Sequence, residues 1–551
     1  MNESNEENSS PSTTSSWLAR VRDLSPGIGL GLAVFIILLA TLDDPGVTWD
    51  EAYPNFPAAE RQAQWFRGIF TEEGIFSTET IDKYWFTTSD HPSLPRSCAA
   101  FAYLIVGSFV DEIVAYRLPS AVFFSILVAT VFFWCRKYVG IRAAWASALC
   151  LAFMPRVLAH AHIFSLDVPI MCWWIWTLFA VSAALDGSRA IWLAALVYAF
   201  AFATKLHSVF LPPLLVLWTT FLLYGSSHRK ALFLRAVKVI AWAVVLVPIV
   251  YFGTQPWLWH DTVTRVGERF FDYARKTTVH PIGLWYLGNH YFNNTPWHYP
   301  LVMVLFTIPT GILLLVLGGL GAGWRIRTIA SNDSILRDRD RWLLILLGAL
   351  IPLLIVMLPL AQGYDGVRLF LPAFPCLAVL AGYGFQWVSG FWERLQSPRR
   401  QKILLSALVL AALLIPPCLD TIRLHPCQLA YYNALCGGLR GAQRLGLEST
   451  YWCDSLTKPF LNEINQAVPP GSKLRPLSMS YDVIEYWKKR GLLNPDIDHL
   501  SEPPYDFHLL QCRQGMFTTA EWYLYQWMRP IRVQERDGVP LFALYGPMPK
   551  R

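Results

Sequence analysis

Gly46 to Tyr53 reads GVTWDEAY, and its adjacent carboxylates, Asp50 and Glu51, stand out in a chain where only 15% of residues are charged. Neighbouring side chains diverge by about 100° on a helix, so the two cannot grip one atom. One suits a general base and the other a positioning group. Taken alone, the pair reads as a solvated loop. The company it keeps argues otherwise: SDHPSLPRS brings His91 and Arg96, and DEIVAYRLPSA brings Arg117. Asp167 in HIFSLDVPI, Lys205 in ATKLHS and Arg368 in YDGVRLF stand at the ends of apolar runs. A guanidinium forks onto two phosphate oxygens, and a carboxylate at the dry edge of a bilayer can be tuned as a base. For each arginine taken separately, snorkelling to a lipid headgroup explains it equally well.

What positions these residues is a membrane. The 551 residues are 54% hydrophobic, with a mean hydropathy of +0.34, far more apolar than a soluble protein. MNESNEENSSPSTTS is too polar to fold, so residues 1–23 are expected to form a disordered cytoplasmic tail. Arg20 and Arg22 precede the first apolar run, which reads as a retained anchor because no small-residue cleavage site follows. Ten further runs follow: Leu118–Trp134, Ala143–Ala159, Val168–Leu185, Ala190–Thr204, Ser208–Tyr224, Val237–Gly253, Leu301–Ala322, Trp342–Ala361, Leu369–Val388 and Ile403–Leu419. The fold class expected is therefore an all-α polytopic membrane protein of about 11 transmembrane helices over residues 24–419.

Cys98–Val110 is apolar but too short to cross and reads as a surface segment. With it outside the count, the basic connections at Arg136–Arg142, Arg229–Arg235, Arg325–Arg341 and Arg394–Lys402 share the side of Arg20 and Arg22. That is the positive-inside pattern, with the amino terminus cytoplasmic and the carboxyl terminus outside a plasma membrane. The long loops 43–117 and 254–300 then lie outside, with every candidate residue on that face. A transporter or flippase of lipid-linked substrates has the same hydropathy, but the spans hold few ionisable residues and no internal repeat. A non-catalytic scaffold would tolerate loss of the outer charges.

The order WDEAY, HPSLPR, RLPSA, a basic turn with Gly140, Asp167 before Pro169, then TK resembles the GT-C glycosyltransferases of the protein O-mannosyltransferase and lipid A aminoarabinose transferase group, over roughly Leu24 to Trp387. The resemblance implies a glycosyltransferase moving a sugar from a polyprenyl-phosphate donor to an acceptor hydroxyl on a protein, lipid or glycan, with inversion. It matches Asp50 to the catalytic carboxylate and Glu51 to its partner. It gives Arg96, Arg117, Lys205 and Arg368 to the donor phosphate, and His91 and Asp167 to the substrates. Arg96 stands where the family usually has lysine, and Ser93 and Pro95 replace Pro and Gly. No cofactor or metal is required by such a displacement, and nucleic acid has no place in it.

Loop 254–300 is crowded with aromatic residues, which read first as an interfacial belt. A second reading gives His260, His280, Tyr286, Tyr291 or His298 a part in sugar or acceptor binding, with no single residue singled out. Residues 420–551 have the composition of a small extracytoplasmic α/β domain, with helices at PFLNEINQAV and TTAEWYLYQWM, a strand at PYDFHLLQC and a hairpin turning on Asp537 and Gly538. Cys427, Cys436, Cys453 and Cys512 lie there, and their spacing fixes no pairing.

Overall fold

The computed structural model describes residues 13–87, 91–279, 282–292, 294–325, 335–359, 361 and 363–547. Its first helix, Thr13–Thr41, begins well inside the expected tail, so residues 13–23 are helical rather than disordered. The apolar run from Leu24 propagates that helix towards its N-terminus; residues 1–12 lie outside the described residues.

All eleven apolar runs coincide with a helix or a bent helix pair. Among the described residues, seven helices are long and apolar enough to cross a membrane, or nine if each of two bent pairs is one span. The expected span Leu301–Ala322 is two helices, Tyr299–Thr307 and Thr310–Arg325, turned by 118° where Pro309 lacks an N–H to continue the ladder. Ile141–Ala152 and Pro155–Ala161 meet at 68° for the same reason, with Pro155 opening the second helix. Ile191–Phe202 has only 12 residues, about 18 Å of helix. Leu94–Val106, the short segment read as non-crossing, spans 13 residues and packs against Phe56–Gly68.

Ala373–Glu393 is buried by neighbouring helices over most of its length. A Cβ on Gly384 would lie 1.9 Å from the Leu315 carbonyl oxygen, and one on Gly319 would lie 1.9 Å from that of Leu380. These glycines let two backbones meet, the packing expected where van der Waals contact replaces the hydrophobic drive between helices. The helix that carries Arg117, Glu112–Tyr138, has a defined start and end. Asp111 accepts from the Ile113 N–H at 2.9 Å, Glu112 lies in the first turn, and Arg136 and Lys137 lie in the last.

Outside the bundle, β1 (Leu284–Tyr286) and β2 (Asn289–Tyr291) form a hairpin in the fourth loop. The last long helix ends at Leu424, and the α/β domain follows. Its sheet uses β3 (Leu474–Leu477), β4 (Phe507–Gln511), β5 (Arg532–Arg536) and β6 (Val539–Tyr545) in the order β3-β4-β6-β5. β3 and β4 are parallel and the other pairs antiparallel. Asp537 and Gly538 both take positive φ, 52° and 70°, which a two-residue turn between twisted strands requires. The expected helices appear as Lys458–Ala467 and Thr519–Trp527. Phe460, Trp487, Leu509 and Phe542 share one apolar core with Val47, Phe56 and Tyr116, so this domain is welded to loop 43–117. All ten cysteines are free, the four of this domain included.

Candidate active site

Glu51 and Arg117 are both fully buried and form a bidentate pair, Nε to Oε1 at 2.7 Å and Nη2 to Oε2 at 2.8 Å. Glu51 also accepts from the Thr48 N–H at 2.9 Å, the Thr48 hydroxyl at 3.1 Å and the Phe164 N–H at 2.8 Å. Arg117 donates its other protons to the carbonyls of Leu42, Pro45 and Gly46 at 2.8, 3.0 and 2.9 Å. A guanidinium has five N–H groups, and here internal acceptors take all of them. In this structure Arg117, which the resemblance gives to the donor phosphate, clamps the end of the first span to the loop that carries Asp50.

Asp50 points elsewhere. Its carboxylate pairs with Arg368 Nη2, whose Nε donates to Asp167 Oδ2 at 2.8 Å and whose Nη1 donates to Asp365 Oδ2 at 3.0 Å. Lys205 Nζ holds the other oxygen of Asp167 at 2.7 Å, and Arg513 Nη2 holds the other oxygen of Asp365 at 2.7 Å. Three carboxylates thus alternate with three cations. Burial opposes charge on Arg368, yet Asp50, Asp167 and Asp365 outweigh it and keep the guanidinium firmly protonated. Trp452 covers its face at 4.2 Å. The side chains of Asp167, Lys205, Asp365 and Arg513 are at most 5% exposed, whereas that of Asp50 is 31% exposed and that of Arg368 16%. Asp50 is the carboxylate of this cluster that an incoming molecule can reach.

The backbone is built to aim these groups. Asp365 and Gly366 take φ of +54° and +62°, and a Cβ at Gly366 would lie 2.6 Å from Arg156 and 2.9 Å from the Tyr451 ring. Only glycine suits both demands there. The turn also receives the Tyr299 hydroxyl on the Gly366 carbonyl at 2.9 Å.

The remaining candidates are more scattered. Arg96 is buried and donates to Asn55 Oδ1 at 3.1 Å and to the His91 carbonyl at 3.3 Å, supporting the segment that follows Asp50. His260 bonds the Phe76 carbonyl at 2.9 Å and belongs to the far end of the first loop. Tyr286 and His298 bond each other at 2.8 Å, with Tyr286 packed on Tyr299 behind the Gly366 turn. His280 lies outside the described residues. Asp365, Trp452 and Arg513 were not singled out by the sequence. Asp365 sits three residues before Arg368 in the same turn, a spacing that could have shown it, but nothing in QCRQG marks Arg513.

Residues 90–254 match the family model of the dolichyl-phosphate-mannose-protein mannosyltransferases. No curated protein matches the chain. Among solved structures, ArnT from Cupriavidus metallidurans bound to undecaprenyl phosphate is 14% identical, with 94% of this chain and 98% of that one covered and a TM-score of 0.50. The apo form of the same protein is 16% identical with a TM-score of 0.46, covering 97% of this chain and 98% of that one. The apo oligosaccharyltransferase of Archaeoglobus fulgidus is 13% identical with a TM-score of 0.46, covering 86% of this chain and 61% of that one. Residues 90–254 thus match a membrane mannosyltransferase family model, and the chain shares the fold of ArnT along nearly its whole length.

Proposed function

We propose that the protein transfers a sugar from a polyprenyl-phosphate donor to an acceptor hydroxyl at the outer face of the membrane, inverting the anomeric carbon. Asp50 takes the acceptor's proton, and the freed oxygen attacks the anomeric carbon opposite the phosphate. The bond from that carbon to the phosphate oxygen breaks, and polyprenyl phosphate departs with the bonding pair. Arg368 and Lys205 face the phosphate's developing charge, and Arg368 can move from Asp50 to the phosphate when donor enters. That exchange frees Asp50 at the moment a base is needed. The donor class is supported by the undecaprenyl phosphate in the ArnT structure of shared fold and by the dolichyl-phosphate sugar named in the family model.

The observation that carries this reading is the accessible Asp50 on a buried, charge-balanced network. Asp50→Asn is nearly isosteric and cannot take a proton, so turnover is expected to fall by about 10²-fold or more with donor affinity largely kept. Near-normal turnover in that variant would remove Asp50 from the chemistry.

A further inference from the structure

A concavity of about 390 Å³ lies between the β1–β2 hairpin and the C-terminal domain. Trp285 comes from β1; Gln443 and Arg444 from helix Gly438–Arg444 and Gln514 from the turn after β4; Trp522 and Tyr525 from helix Thr519–Trp527. The rings of Trp285 and Trp522 stand 5.0 Å apart and tilted by 59°, both half-buried, so each leaves part of its surface uncovered. Gln443 Nε2 donates to the Tyr525 hydroxyl at 2.6 Å. Gln514 is 3% exposed, and its Oε1 accepts no hydrogen bond among the described residues. The two walls are tied together by the Gly288 N–H, which donates to the Gly446 carbonyl at 3.1 Å, and by His290 Nε2, which bonds the Gly515 carbonyl at 2.6 Å.

We infer that this pocket binds a neutral saccharide and is the acceptor subsite, so that the acceptor hydroxyl belongs to a glycan. The inference rests on the transfer reading above and adds the acceptor class to it. Aromatic faces are electron-rich and suit the C–H face of a sugar ring, while a glutamine amide both donates and accepts, as a sugar hydroxyl does. Gln443, half-buried in the lining, offers such an amide beside the two indole rings. An anion would find only Arg444 among the lining side chains for compensation, and Arg444 is exposed. The volume lies in the range of small-ligand sites, ~300–1,000 Å³, enough for about one or two sugar rings. Its connection to the chemistry is covalent: Arg513, which holds Asp365 in the Asp50 cluster, immediately precedes Gln514, about 3.8 Å away between Cα atoms.

The test uses the full chain in lipid nanodiscs, titrated with soluble mono-, di- and trisaccharides of the common hexoses and N-acetylhexosamines. Tryptophan fluorescence and saturation-transfer NMR report binding. Saturable binding of at least one saccharide at millimolar or tighter affinity is expected, weakened about tenfold by Trp522→Ala or Gln443→Leu. Leu445→Arg, at an exposed position on the rim, should block binding without touching the core. Absence of saturable binding up to about 10 mM, binding indifferent to all three substitutions, or a serine/threonine peptide occupying the pocket in place of sugar would each overturn the inference. Asp50→Asn should lower turnover by about 10²-fold or more while leaving saccharide affinity unchanged. If the protein transfers no sugar from a polyprenyl phosphate yet the pocket still binds saccharide, the transfer reading fails and the saccharide site stands.

Discussion

Glu51 and Asp50 are neighbours with opposite fates, and burial decides which is which. Glu51 meets Arg117 with neither side chain exposed and every polar atom of the pair occupied. Removing one partner leaves an uncompensated buried charge, a cost of about 3–5 kcal/mol. Arg117→Ala should therefore lower the unfolding midpoint and the yield of folded protein, and Glu51→Gln should do the same less severely. Thermal unfolding in detergent checks this; an Arg117→Ala protein of unchanged stability that only loses donor affinity would restore the phosphate contact read from the sequence. The adjacency of Asp50 and Glu51 was legible in WDEAY, and so was the divergence of their side chains. The role of Arg117 was not, since a saturated guanidinium and a free one have the same letter. His260 is a similar case: its aromatic neighbourhood was legible, but its attachment to Phe76 depends on a contact 184 residues away in the chain.

Among elements, the turn Asp365–Arg368 and the C-terminal domain act together. Arg513 donates to Asp365 at 2.7 Å and to the Tyr451 carbonyl at 3.1 Å, so a residue outside the bundle helps aim Arg368. Arg513→Met should lower turnover at least tenfold, and the loss should nearly vanish when measured in an Asp365→Asn background, because the two act through one interaction. Fully additive losses would separate them. Two buried carboxyls in the same layer set a pH dependence. Burial lifts Glu448 from its ordinary 4.5 to about 7, with Arg513 opposing and Asp365 reinforcing. Burial likewise lifts Asp454 from 3.8 to about 7, opposed by its backbone hydrogen bonds and by Arg156 and Arg117. Between the ordinary values and about 7 the folded protein holds more protons than the unfolded chain, so stability falls as pH rises through that window and levels off above it. The loss is at most about 3 kcal/mol for Glu448 and about 4 kcal/mol for Asp454. The unfolding midpoint should be higher at pH 5 than at pH 8, and Glu448→Gln should flatten part of that slope; a midpoint rising with pH would contradict the assignment. The helices and strands of this domain were legible from period and turn residues. Its weld to the first loop was not, because Val47 and Phe56 read only as apolar residues until Phe460 and Trp487 pack on them.

For the whole molecule, the helical runs were legible from hydropathy, while the bend at Pro309 and the short helix Ile191–Phe202 show where apolar length alone misleads. A run of apolar letters does not say whether its axis turns. The proposed orientation puts both long loops and the C-terminal domain outside. Single cysteines introduced at Glu73 and Ser227, both exposed, test it: an impermeant maleimide should label intact cells only at position 73. Labelling only at position 227 would invert the molecule and move the site to the cytoplasm. The central claim is that the sugar comes from a polyprenyl phosphate, and reconstituted protein answers it directly. Proteoliposomes given radiolabelled polyprenyl-phosphate sugars and a mixture of glycan and peptide acceptors should transfer label from the lipid carrier, with transfer lost in Asp50→Asn. Transfer from a soluble nucleotide sugar with no polyprenyl carrier present, unaffected by Asp50→Asn, would contradict the account.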